Sequence, residues 1–253
     1  MTMLHIDIGV VKVPRYGASE SGDTLEVIER PGGGLSVVLV DGQGSGRGAK
    51  TLSNLIATRA IAQLKDGARD GVVARAVHDY LYTYRMGQAS ATLNILSIDF
   101  ASGSLRVSRN NPAPFFVLDT GRVELHNEPS TPIGLHPLAR PVITEIALRP
   151  GLQVVMFTDG LLRAGERYGV DMELGNYLAG WHTEADQPAK ALAEALLSRA
   201  MELDRNEPAD DISIVVAAVV ERESANRARR MTVSVPIERV TERHEEAFDG
   251  VDD

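Results

Sequence analysis

The order of strand-like and helix-like segments is the feature that most constrains the fold of this chain. Three β-rich segments come first, two amphipathic helical segments follow, then a run of strand segments, and finally one helix and one strand. A chain built from βαβ units would instead alternate strands and helices along its whole length. The order therefore predicts an α+β fold with antiparallel sheets.

Alternating hydrophobicity and turn residues give the bounds of the predicted strands, and apolar residues at helical spacing give those of the helices. Turns such as RPGGG and the pair Pro150-Gly151 separate neighbouring strands. The predicted strands cover 4–13, 23–29, 35–40, 91–99, 104–109, 114–119, 122–126, 143–148, 152–158 and 212–220, and the predicted helices cover 48–63, 72–86 and 187–201.

Length and composition favour one compact domain with a tail. The chain has 253 residues, of which 43% are hydrophobic, and this is ample for one core. We predict a folded domain over 1–220 and a charged C-terminal extension over 221–253. Within the extension, MTVSVPI is compatible with one further strand, and the rest is expected to be disordered. A partner-binding or autoinhibitory role for the extension is a hypothesis.

Several classes of function are disfavoured by composition. The chain has no cysteine, so disulfides, thiolate nucleophiles and cysteine zinc sites are excluded, and a metal would need oxygen or imidazole ligands. A net charge of -9 argues against a nucleic-acid partner. The N-terminus is typical of an alternating strand and not of a signal peptide, and no apolar run reaches membrane-spanning length. We expect a cytoplasmic protein without a membrane partner.

The stretch LSVVLVDGQGSGRGAKT, residues 35–51, runs from a strand into a glycine-rich loop. A Walker A loop needs glycine directly before its lysine, but Ala49 precedes Lys50. A dinucleotide fingerprint laid on Gly44, Gly46 and Ala49 would require a second parallel strand, whereas the following residues indicate a helix. A nucleotide-binding enzyme is therefore disfavoured, and a tight strand-to-helix turn is the simpler interpretation.

Three predicted strands begin or end next to an aspartate in a turn-like context. These are Asp41 in VVLVDG, Asp159 in VVMFTDG and Asp210 in PADDISIVV. A single aspartate at such a place is usually a cap or a turn former. If the three strand ends share one edge, however, the carboxylates converge and repel one another unless a cation neutralises them. The pattern indicates an oxygen-ligated Mg²⁺ or Mn²⁺ site.

Five motifs in one order extend this pattern over most of residues 4–220. The motifs are SGD (21–23), VVLVDGQGSGRGA (37–49), GQASATLNILSIDFASGSLRVSRNNPAPFFV (87–117), FTDGL (157–161) and DDISIVV (210–216). In these motifs the sequence resembles the metal-dependent Ser/Thr protein phosphatases (the PPM superfamily), in the bacterial branch of SpoIIE-like and RsbX-like regulators.

The resemblance implies a fold and a set of ligands. The family fold is a four-layer αββα sandwich, in which two antiparallel sheets are flanked by helices and two divalent cations, Mn²⁺ or Mg²⁺, lie at one end. Asp41 would bridge both metals and Gly42 would offer its carbonyl oxygen to one of them. Asp159 and Asp210 would complete the first site, and Asp23 would serve the second. We expect Asp211 to be a solvated turn residue or a helper that orients water.

The activity implied is hydrolysis of phosphoserine or phosphothreonine by a metal-activated water. Gln43 stands where many relatives have a histidine that has been proposed as general acid, so no protein group is assigned that role. The implied substrate is a phosphorylated regulatory protein of a stress or sigma-factor pathway, such as an anti-anti-sigma or stressosome-like protein. A non-catalytic signalling module with the same fold is the alternative.

Two further features of the sequence have both a functional and a structural interpretation. Arg47 in the glycine loop is a candidate phosphate ligand, because a guanidinium group suits phosphate, but a solvent-facing arginine at a helix start is the simpler interpretation. Asn110 or Asn111 in RNNPAP would approach the site or simply form a turn.

Overall fold

The protein, described by a computed structural model over residues 2–182, 187–223 and 228–236, contains ten strands, five α-helices and one 3-10 helix at Glu166–Tyr168 in that part of the chain. The strands are β1 (Thr2–Val13), β2 (Asp23–Glu29), β3 (Leu35–Gly42), β4 (Ala91–Asp99), β5 (Ser104–Asn110), β6 (Phe115–Asp119), β7 (Arg122–His126), β8 (Val142–Ala147), β9 (Gln153–Phe157) and β10 (Ile212–Glu223), and the helices are α1 (Gly46–Lys65), α2 (Asp70–Arg85), α3 (Asp159–Leu162), α4 (Leu174–Ala179) and α5 (Pro188–Leu203).

The strands form two five-stranded antiparallel sheets. Sheet A has the order β1-β10-β9-β6-β7, and sheet B has the order β2-β3-β4-β5-β8. Every recorded strand pair within both sheets is antiparallel. The predicted α+β fold with two antiparallel sheets is confirmed.

Three separate apolar clusters show how the layers stack. One cluster lies between sheet A and helices α4 and α5, and includes Phe157, Leu192 and Ile214. A second lies between sheet B and helices α1 and α2. The third lies between the sheets and contains residues of both, among them Leu39 and Val215. Three buried interfaces are what four layers require, so the chain has the predicted αββα arrangement.

Most predicted elements are present, and the differences lie at their ends. Strand β3 continues through Gly42, and α1 begins at Gly46, two residues earlier than predicted. The short elements α3, α4 and the 3-10 helix were not predicted, because three to six residues show too little periodicity to be recognised.

The last described strand extends past residue 220, where the folded domain is predicted to end. Strand β10 continues to Glu223, which is paired with Thr2 of β1. In the predicted strand over 231–237, the described residues 231–236 have no strand structure. Residue 237 and the predicted disordered stretch that follows it lie outside the described residues. In the part of the chain that the structure covers, no helix combines the length and apolar character needed to cross a membrane.

Candidate metal centre

Two predicted ligands face each other across neighbouring strands of sheet B. Asp23 begins β2, Asp41 lies next to the end of β3, and the two residues are direct partners in the antiparallel register. Partners in such a register carry their side chains on the same face of the sheet. The fold therefore brings together two carboxylates that are 18 positions apart in the chain.

Asp23 is tied to the opposite sheet through one of its carboxylate oxygens. Its Oδ2 accepts hydrogen bonds from Ser213 Oγ at 2.6 Å and from Thr158 Oγ1 at 3.1 Å. Its Oδ1 is buried and has no partner among the described residues. An unpaired buried carboxylate oxygen is costly, and a bound cation would satisfy it.

Two lysines stabilise the main chain at the same place. The Nζ atoms of Lys12 and Lys50 both donate to the carbonyl oxygen of Asp23, each at 2.6 Å. Burial, together with the nearby Lys50, lowers the pKa of Lys12 to about 8. Lys50, the last charged residue of the glycine-rich stretch, therefore binds the start of β2 in this structure.

The other two predicted ligands come from the end of β9 and the start of β10. Asp159 is the first residue of α3, and Asp210 lies two residues before β10. Arg163 joins them, with Nη2 3.1 Å from Asp159 Oδ2 and Nη1 3.2 Å from Asp210 Oδ2. Sequence reasoning missed Arg163, although its spacing of four residues from Asp159 on a helix is a recognisable ion-pair signal.

The electrostatics of Asp41 show that these acidic groups form one cluster. Burial raises the pKa of Asp41 to about 8, with further contributions from the negative charges of Asp23, Asp159, Asp210 and Asp211. Burial raises the pKa of Asp23 to about 6, although its bonds to serine and threonine act in the opposite direction. The pKa of Asp210 is also raised, mainly by burial. Four carboxylates that raise the pKa of a fifth define a site for positive charge.

Asp211 has a structural role that its sequence context does not reveal. Its side chain is buried, and its two oxygens accept the backbone N–H groups of Arg15 at 2.9 Å and Gly22 at 2.8 Å. Asp211 is therefore not in a solvated turn. The partners lie almost 200 positions away, so no local pattern could have identified them.

Close packing explains the glycine that follows Asp41. A Cβ added to Gly42 would lie 2.3 Å from the carbonyl oxygen of Ala49 in α1. Gly160, which follows Asp159, has the same constraint, because its Cβ would lie 2.2 Å from the carbonyl oxygen of Asp211. Both glycines let a second stretch of backbone approach the end of the sheets that carries the clustered aspartates, which we call the acidic edge. This holds whether or not the Gly42 carbonyl also binds metal.

The remaining candidates occupy different positions around the site. Arg47 is exposed in the first turn of α1, and its guanidinium has no partner among the described residues. The side-chain oxygen of Gln43 accepts the N–H of Ser90 at 2.9 Å. Asn110 and Asn111 are buried. The side chain of Asn110 donates to the carbonyl oxygen of Thr131, the side-chain oxygen of Asn111 accepts the N–H of Ala113, and the N–H of Asn111 donates to Ser130 Oγ. For these asparagines the contacts support the turn interpretation.

The donor set fits a hard divalent cation in chemistry, but its present arrangement does not. The carboxylates supply oxygen ligands, and the unpartnered Oδ1 of Asp23 gives a buried acceptor for such an ion. As the side chains stand, however, no group of three or more acidic or histidine side chains in the described ranges is arranged to hold a metal. In this arrangement Asp159 and Asp210 each contact Arg163 instead.

A cavity of about 480 Å³ lies elsewhere in the molecule. It is lined by Asp119 at the end of β6, by Gln153 at the start of β9 and by Trp181. Asp159 follows the other end of β9, so the cavity and the acidic cluster lie at opposite ends of that strand.

Solved structures with a similar fold support the same architecture. The chain is similar to the PP2C phosphatase domain with a regulatory-domain fragment of the cell fate determinant SpoIIE from Bacillus subtilis, with 18% identity and a TM-score of 0.76, covering 88% of this chain and 66% of that one. RsbX in complex with magnesium matches with 16% identity, a TM-score of 0.62 and coverage of 87% and 100%. The catalytic domain of the phosphatase PstP with two manganese ions matches with 17% identity, a TM-score of 0.64 and coverage of 86% and 100%.

Sequence comparison identifies the family. None of the curated protein sequences is significantly similar to this chain. The family model described as Stage II sporulation protein E (SpoIIE) matches residues 31–220, which is most of the chain and includes four of the five predicted ligands. This chain therefore belongs to the SpoIIE family and has the fold of the PPM-type serine/threonine phosphatases.

Proposed function

We propose that this protein is a metal-dependent serine/threonine phosphatase that hydrolyses a phosphorylated regulatory protein. One observation supports it above the others: carboxylates from both sheets meet at one edge, where burial, together with the negative charges of the neighbouring aspartates, raises the pKa of Asp41 to about 8. A stable fold gains nothing from such repulsion, and acidic clusters of this kind are typical of sites that bind cations.

Asp41 would contact both cations, with Asp159 and Asp210 on one side and Asp23 on the other. Gly42 would contribute its carbonyl oxygen. Mg²⁺ and Mn²⁺ are the candidates, because both prefer oxygen ligands. They are also the ions bound in the structures of RsbX, with magnesium, and PstP, with manganese, which are similar in fold to this chain. When bound, such ions supply Lewis-acid activation of a water and stabilise negative charge on the phosphoryl group.

The chain's own residues would orient this site. Ser213 and Thr158 hold Oδ2 of Asp23, which leaves Oδ1 for a ligand. Gln43 is fixed by Ser90 and is a neutral amide, so it would not protonate a leaving seryl oxygen at neutral pH. Arg47, exposed and unpaired among the described residues, is our candidate for contacting the substrate phosphate.

The proposed substrate class follows from the family. Because this chain belongs to the SpoIIE family and has the fold of RsbX, we infer a phosphoprotein of a stress or sigma-factor pathway, of the anti-anti-sigma or stressosome-like kind, in the cytoplasm. A net charge of -9 does not favour nucleic acid as a partner.

The test is phosphate release from a phosphoserine protein and from an aryl phosphate, measured with Mn²⁺ and then with chelator. We expect release with Mn²⁺, none with chelator, and a loss of at least about a hundredfold in Asp159→Ala and Asp210→Ala, since each removes a proposed ligand. Glu207→Ala is a matched control, because Glu207 is a half-exposed acid near Asp210 that pairs with Arg167. Turnover that survives both aspartate substitutions would refute the proposal.

A second candidate is a non-catalytic signalling module with the same fold. It is favoured by one observation, namely that the described acidic side chains are not arranged as a metal-binding group. Such a module would bind its partner equally well with Mn²⁺ and with chelator, and it would release no phosphate under either condition. Calorimetry with the phosphorylated partner distinguishes the two candidates.

A further inference from the structure

Arg163 lies where a cation would be expected, between two of the clustered carboxylates. Its guanidinium approaches Oδ2 of Asp159 through Nη2 and Oδ2 of Asp210 through Nη1. We propose that Arg163 is an internal counter-ion that competes with a divalent cation for Asp159 and Asp210 and moves aside when that cation binds. The proposal rests on the proposed metal-dependent function and names a residue that sets its metal affinity.

The guanidinium and a divalent metal would compete for these carboxylates. A divalent metal such as Mg²⁺ binds a carboxylate oxygen at about 2.0–2.1 Å, and the guanidinium nitrogens lie 3.1 and 3.2 Å from the same two oxygens. A metal bound to both oxygens would therefore lie next to the positive guanidinium, and the two would repel each other at short range. Binding of the metal would weaken the contacts of Arg163 and favour its departure.

The competition affects only one half of the cluster. Oδ1 of Asp23 has no partner among the described residues. The carboxylate of Asp41 likewise makes no ion pair in the described ranges. A cation held by Asp23 and Asp41 would consequently meet no positive side chain paired with its carboxylate ligands among the described residues, although the amino groups of Lys12 and Lys50 lie close by, on the carbonyl oxygen of Asp23. A cation that uses Asp159 and Asp210 would instead compete with Arg163 for the carboxylates themselves.

Arg163 can leave without disturbing the core. Its side chain is 54% exposed, and its recorded side-chain contacts are those with the two aspartates. Exposed ion pairs are individually weak, so a divalent cation can replace them. The exposed position also means that substitutions of Arg163 should leave the fold intact, which makes the proposal testable.

The experiment is calorimetric titration of the full chain with Mn²⁺ in phosphate-free buffer. We expect Arg163→Gln to tighten Mn²⁺ binding roughly three- to tenfold, because the competing charge is gone. Arg163→Lys keeps the charge and should stay within about twofold of the unmodified protein. Arg167→Gln is the control for the loss of one positive charge, because Arg167 pairs with Glu207 at 3.7 Å and not with a proposed ligand. It should leave the affinity for Mn²⁺ nearly unchanged.

The outcomes separate this inference from the proposed function. Unchanged or weaker binding in Arg163→Gln, with normal binding by the unmodified protein, overturns the role of Arg163 and leaves metal dependence intact. Equal tightening in Arg163→Gln and Arg167→Gln overturns it too, since a general charge effect would then suffice. Binding by Arg163→Gln alone supports both proposals. No binding by either protein refutes both.

Discussion

The surroundings of Asp41 oppose the ionisation of its carboxyl group in two ways. Burial opposes its ionisation first, and four neighbouring aspartates add to that effect. Its partner in the register, Asp23, has a smaller rise in pKa because Ser213 and Thr158 donate hydrogen bonds to it. Without a cation, the folded protein should keep protons on these side chains that the unfolded chain would release.

This proton uptake predicts how the stability of the metal-free protein depends on pH. The folded-state pKa values, about 8 for Asp41 and about 6 for Asp23, lie above the ordinary value of 3.8. The associated stability is complete below about pH 4 and is lost as pH rises through 6 and then 8. Urea unfolding in the presence of chelator should give a lower free energy of unfolding at pH 8 than at pH 5.

Asp41→Asn is the matched variant for this measurement. It removes the carboxyl group of Asp41, whose pKa is higher than that of Asp23. The decline in the free energy of unfolding between pH 6 and 8 should therefore become shallower. Profiles that coincide for the variant and the unmodified protein would show that Asp41 does not titrate in this range.

A second prediction at the residue scale concerns Arg109, which is almost fully buried. Its guanidinium donates to the carbonyl oxygens of Asn111, Ala113 and Glu128, and so fixes the turn after β5. Arg109→Ala should lower the free energy of unfolding by about 2–4 kcal/mol, because three carbonyl groups lose a charged donor.

Arg106 provides the control for Arg109 on the same strand. It is partly exposed and pairs with Glu145 at 3.1 Å. Arg106→Ala should change the free energy of unfolding by less than about 1 kcal/mol in the same urea experiment. Equal effects of the two substitutions would contradict the structural role given to Arg109.

At the scale of elements, the sequence predicts those strands, helices and candidate ligands that can be recognised from a local pattern of residues. The strand over 23–29 and the helix over 187–201 have strong periodicity. The strand is present as β2 with the predicted bounds, and the helix is present as α5 with small shifts at its ends. Candidate carboxylates were found because each lies beside a hydrophobic strand. The residues that bind Asp23 were missed, namely Ser213 and Thr158 at its carboxylate and Lys12 at its main-chain carbonyl oxygen, since those contacts depend on how the two sheets pack and leave no trace in local spacing.

The contact between β3 and α1 yields a prediction about the glycine-rich stretch. Gly42→Ala keeps the carbonyl group but places a Cβ against Ala49, so it should lower the free energy of unfolding by at least about 1–3 kcal/mol. Thermal unfolding with chelator measures this effect independently of metal.

Gly48 is the matched control in the same stretch. It lies within α1, and an added Cβ would meet no atom within 4 Å. Gly48→Ala should therefore be neutral or stabilise the protein by up to about 1 kcal/mol, because alanine is the better helix former. If Gly42→Ala is equally harmless, the close approach to Ala49 is not what requires glycine.

At the scale of the whole molecule, the described part of the C-terminal extension makes contacts far along the chain. Arg229 pairs with Glu29 at 2.7 Å and donates to the carbonyl oxygen of Gly33 at 3.0 Å, while Met231, Val233 and Val235 are exposed. Strand β10, by contrast, is paired along its whole length with β1. Stability should therefore depend on where the chain is cut.

Two truncations test this difference. Within the described residues 228–236, removal of residues 224–253 loses exposed contacts such as those of Arg229, and it should lower the free energy of unfolding by no more than about 1 kcal/mol. A cut after Val220 also removes three paired residues of β10, including Arg222, which binds Asp7 at 2.6 Å. This second cut should lower the melting temperature more than the removal of residues 224–253 does. Equal melting temperatures would place the end of the domain at residue 220.

The acidic edge is divided between the two sheets, with Asp23 and Asp41 on sheet B and Asp159 and Asp210 beside strands of sheet A. The separation of the two pairs is consequently set by side chains such as Leu39 and Val215, which fill the space between the sheets. The inter-sheet core thus acts as the spacer of the site. Selection could adjust affinity for a bound ion through the volume of apolar residues there, without altering any charged group.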